Sequence, residues 1–84
     1  MLAAHAEARF LLSRHVPTLY AVVIAAVADP RATSDTFLIL ADALTEAAEF
    51  YRPRAHMLRS VHALERTAWM LRDLAPARAG AVPA

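Results

Sequence analysis

The sequence has no cysteine. That excludes a disulfide framework, a thiolate metal site and a thiol nucleophile. Its single glycine is Gly80, near the C-terminus. Without internal glycine there is no Gly-rich phosphate loop, no dinucleotide fingerprint and no Asn-Gly or Asp-Gly hairpin turn. Lys, Asn and Gln are also missing, so the nine basic residues are all arginine. Arg beside abundant Ala, Leu, Val and Pro is what a GC-rich codon pool yields, so the preference for Arg over Lys carries no argument alone. Eight acidic residues offset the nine arginines to a formal net charge of +1. A balance so near zero argues against polyanion binding as the main purpose.

What is present is apolar. Hydrophobic residues make up 58% of the 84 positions, against roughly 45–50% in ordinary domains. A chain this rich in apolar side chains does not stay disordered over most of its length, and its size allows one domain. Ala, Leu, Arg, Met and Glu, the strong helix formers, dominate. Pro17, Pro30, Pro53 and Pro76 divide the chain into four segments, because proline disfavours helix before it and is welcome in a first turn. The expectation is an all-α fold: a small three- or four-helix bundle with an antiparallel helical hairpin at about 34–51 and 54–75. One domain is expected over 1–75, with 76–84 a flexible C-terminal tail. Only His15 and Val16 separate the segments Leu2–Arg14 and Pro17–Ala28, so one kinked helix and two helices both remain open.

The hairpin helices show their inner faces. Phe37, Ala41, Leu44, Ala48 and Tyr51 recur at four-three spacing, widened by Leu40 and Ala47, while Asp42, Glu46 and Glu49 lie opposite. Met57, Val61, Leu64, Ala68, Leu71 and Ala75 repeat the pattern downstream, away from Arg59, Arg66 and Asp73. The segment VPTLYAVVIAAVA is apolar all round except for Thr18 and the Tyr20 hydroxyl. Such a helix is buried on all sides or lies in lipid. Its length of about 20 Å falls short of the ~30 Å hydrocarbon core. Extending it upstream would bury Arg14 and His15 in the membrane. The expectation is therefore a core helix, the most buried of the molecule, and no transmembrane span. A signal peptide fits poorly, because Ala28-Asp29-Pro30 is an unsuitable cleavage site.

Both hairpin helices carry large apolar residues off their inner stripes. These are Ile39, Ala43 and Phe50 on the first. On the second, Leu58 and Trp69 fall on one flank, Met70 and Leu74 on the other. A small monomer covers one face of each helix and would leave these as a large apolar patch. A homodimer or higher oligomer, with Ile39, Ala43, Phe50, Leu58, Trp69 and Met70 at the interface, resolves the surplus.

No catalytic constellation emerges. His5, His15, His56 and His62 lack the three- or four-residue spacings of helical metal ligands, and no Glu-x-x-His occurs, so no metal or cofactor is expected. Arg9 and His15 resemble in spacing the Arg-x(4–6)-His element of HEPN ribonucleases. Phe10 departs from the polar residue expected after that Arg, and no membership follows. Arg52, Arg54, Arg59 and Arg66, with His62, are candidate nucleic-acid contacts along the last helix. The alternative pairs these arginines with the acidic stripe. The reading is a cytoplasmic, non-enzymatic interaction module whose partner is itself and, in second place, another protein. A nucleic-acid-binding regulator is the competing function, and a small metal- or ligand-binding protein a third.

Overall fold

A computed structural model describes the backbone of residues 2–80 and the side chains of residues 6–78. Four α-helices pack together, and no strand occurs among the described residues. They are α1 (Leu2–His15), α2 (Pro17–Ala28), α3 (Ser34–Tyr51) and α4 (Leu58–Gly80), with a 3-10 turn at Ala55–Met57 leading into α4.

Between α1 and α2 the chain bends but does not reverse. Pro17 pushes Val16 out of the helical region, to φ −134° and ψ 58°. Pro17 itself is at home in the first turn of α2. The backbone ladder continues across the break: Val16 donates to Leu12 at 2.9 Å, and Tyr20 donates to Val16 at 2.8 Å. Two helices thus share one bent, hydrogen-bonded path. After α2, the Asp29 carboxylate accepts from the Arg31 amide at 2.8 Å, and Pro30 completes the turn. Thr33 caps α3 by accepting from the Thr36 amide at 3.3 Å, with Asp35 in the favourable first turn.

The core lies in the hairpin. Every residue of the α4 stripe (Met57, Val61, Leu64, Ala68, Leu71, Ala75) is buried, and so are Phe37, Leu40, Ala41, Leu44 and Ala48 of α3. Tyr51 closes the α3 stripe half-buried. Its hydroxyl donates to the His15 carbonyl at 3.4 Å, serving an acceptor at the end of α1 that the helix leaves open. α1 runs beside α4 in the same direction. Glu7 meets Arg59 at 3.9 Å at one end, and beyond the bend Arg78 donates to the Val27 carbonyl at 3.1 Å.

Two expectations fail here. α2 is not the most buried element: only Val23 and Ala26 of its 12 residues are buried. It packs on α3 by one side, because α3 and α4 already satisfy each other. Val22, Ile24 and Val27 stay exposed. The second failure is the helix end at Ala75: α4 passes through Pro76 to Gly80. Proline removes one helical hydrogen bond there. Arg78 offers compensation by donating to the carbonyls of Asp29 at 2.7 Å and Val27 at 3.1 Å. Its guanidinium also lies over the Phe37 ring, 5.0 Å from the centroid. Positions 81–84 of the expected tail lie outside the described residues.

Candidate interaction surfaces

At about 100° per residue, Ile39, Ala43 and Phe50 fall within ~40° of one another on α3. They form one row, with Ile39 67% and Phe50 62% exposed and Ala43 half-buried. Phe50 packs edge-on against Tyr51 at 5.1 Å, and Arg54 covers its ring at 4.6 Å. The α4 residues go elsewhere. Trp69, the most exposed large apolar side chain at 72%, sits with His62, Glu65 and Arg66 around a shallow depression. Met70 turns to the other flank, toward α1 and α2. Leu58 is exposed at the start of α4. The six expected interface residues are therefore outward-facing or at a rim, but they do not make one patch.

The arginines are largely engaged. Arg52 donates to Glu65 at 2.7 Å and to Glu49 at 2.9 Å, stapling the end of α3 to α4. Its hydrogen bonds to Glu65 and then to Glu49 raise the Arg52 pKa above its ordinary value, so it stays charged at every physiological pH. Arg72 reaches Asp42 at 3.2 Å and the Thr45 hydroxyl at 3.0 Å. Arg54 donates to the Phe50 carbonyl at 3.1 Å, and Arg59 faces Glu7. Of the four candidate nucleic-acid contacts, Arg54 and Arg66 join no ion pair among the described residues, and Arg54 is held by the Phe50 carbonyl and ring. A row of free cations for phosphates is not what these side chains present.

Sequence reasoning missed a concave site. The α1–α2 bend and α4 enclose a groove of about 370 Å³ whose lining includes Arg9, Leu12, Tyr20, Val23, Ile24 and Met70. The signal was the Val16-Pro17 bend, which brings Arg9 and Tyr20 to the same side across the break. His15 turns away from this groove, its ring 6.1 Å from Tyr51, so Arg9 and His15 do not form a joint site. Among the described residues no three His, Asp or Glu side chains gather to hold a metal ion, and no helix is long and apolar enough to cross a membrane. No family model matches this chain, and neither the curated proteins nor the solved structures include a match.

Proposed function

We propose that this protein is a non-enzymatic helical module that self-associates in the cytoplasm as an accessory or regulatory subunit. The observation that carries the reading is α2. It has no charged side chain, yet eight of its twelve residues are exposed. An exposed apolar surface of this kind marks a site of association. A second copy docks over the apolar exterior of α2 and α3, built from Val22 and the row Ile39, Ala43 and Phe50.

The size of the surface supports this occupant. The chain exposes 5772 Å², whereas a compact 9.2 kDa monomer exposes about 4,900 Å². The radius of gyration, 13.1 Å, likewise exceeds the ~11.8 Å of a compact chain of this length. Glu46 lies in the same row and Arg54 covers Phe50 at its end, so an antiparallel second copy can set the one against the other.

Light scattering over a wide concentration range tests the reading. The expected result is a dimer or larger species, reduced to monomer by Ile39→Asp or Val22→Asp with the far-UV circular dichroism unchanged. A monodisperse monomer that binds no apolar dye refutes it.

A further inference from the structure

We propose that the groove between the α1–α2 bend and α4 binds a single-chain amphiphile with a carboxylate head, and that Arg9 pairs with that head. The cavity of about 370 Å³ is in the range of small-molecule sites. At the ~30 Å³ a water-sized group occupies, it takes about a dozen heavy atoms, the size of a medium-chain fatty carboxylate. Leu12, Val23, Ile24, Val27 and Met70 supply aliphatic walls. Methionine adapts its shape to a flexible chain. These walls attract hydrocarbon but offer no hydrogen bond.

The polar groups decide the head. Arg9 is the charged residue named in the lining, and no carboxylate of the groove answers it. Arg52, Arg59 and Arg72 are ion-paired, whereas Arg9 joins no ion pair among the described residues. The Thr67 hydroxyl is committed to the Ala63 carbonyl at 2.8 Å. The Tyr20 hydroxyl makes no hydrogen bond to the described residues. A guanidinium prefers a carboxylate in paired geometry. Arg9 belongs to α1 and most of the aliphatic wall to α2, so the head lies before the bend and the tail runs beyond it.

Calorimetric titration of the full chain with decanoate, below its micelle concentration, tests the site. Decyltrimethylammonium carries the same tail with the opposite charge, and sedimentation with phosphatidylglycerol vesicles reports a membrane surface. The expected result is one decanoate per chain, with Arg9→Gln weakening binding about tenfold or more. Met70→Trp fills the groove and abolishes binding. Trp69→Ala, on the other flank of α4, leaves it unchanged. Circular dichroism confirms that each variant folds. Four outcomes overturn the proposal: no decanoate binding, equal binding of the ammonium amphiphile, indifference to Met70→Trp, or association with vesicles alone. Light scattering reads self-association separately, so either proposal can fail without the other.

Discussion

Replacing Leu64 by alanine asks whether the α3–α4 hairpin, and not α2, holds the molecule together. Leu64 is 1% exposed and belongs to one cluster with Phe37, Leu44, Val61 and Leu71. Truncating a leucine in such a core removes its transfer free energy and leaves a void, at a cost of about 2–5 kcal/mol. A domain of this length has a total stability of only about 4–13 kcal/mol. Its unfolding entropy of roughly 0.18 kcal/mol/K converts a 3 kcal/mol loss into a Tm drop of about 17 °C. Val22→Ala is the comparison. Val22 is 47% exposed, so the change costs under ~1 kcal/mol and about 5 °C. Thermal unfolding followed by circular dichroism at 222 nm measures both, at a dilute concentration where the monomer prevails and at a much higher one. Self-association would add a concentration-dependent part to the Val22 effect but not to the Leu64 effect. If Val22→Ala costs as much as Leu64→Ala in dilute solution, α2 belongs to the core and the assignment is wrong.

Thr33→Ala removes the α3 cap and should cost about 1 kcal/mol, read in a urea melt; no loss would mean the Thr36 amide finds water as readily. Pro76→Ala restores a helical hydrogen bond and should stabilise by about 1–3 kcal/mol, whereas a lower Tm would show that the ring has a packing role. Arg78→Ala releases the carbonyls of Val27 and Asp29 and uncovers Phe37. It should cost about 1–2 kcal/mol and speed amide exchange at the C-terminal turn of α4; unchanged exchange would deny Arg78 its anchoring role.

The stripes of α3 and α4 were legible because period and burial coincide when two amphipathic helices face each other. Each apolar position of the α4 repeat, from Met57 to Ala75, is buried as its spacing implied. Hydropathy misled for α2. It records what Val22 and Ile24 prefer, not whether the chain has enough partner area to grant it. The end of α4 was illegible for a related reason. Pro76 is a local stop signal, and the contacts of Arg78 with Val27, Asp29 and Phe37 span 40 or more positions. Pairing of Arg52 with Glu65 likewise needed the hairpin, since thirteen residues separate them. The two flanks of α4 were readable, but the element facing Met70 was not, because the bend at Val16 has no signature of direction.

That bend is the feature on which the groove depends, and Pro17→Ala probes it directly. An alanine amide at position 17 can donate to the Ser13 carbonyl, and Val16 is freed to take helical angles. The stretch Leu2–Ala28 would then become one straight rod of about 40 Å. A straight rod cannot both keep the Tyr51 hydroxyl on the His15 carbonyl and hold Val27 beside Arg78, since those contacts lie on either side of the break. One of them must yield, and the concave side that joins Arg9 to Ile24 opens out. The local helix gains about one hydrogen bond, roughly 1 kcal/mol, against the loss of at least one tertiary contact of similar worth. Stability should therefore change little while decanoate binding falls sharply. The decisive readings are the far-UV spectrum, the Tm and the decanoate titration on one sample. Unaltered binding with raised helicity would mean the site does not need the bend, and that the groove described here is not where the ligand sits.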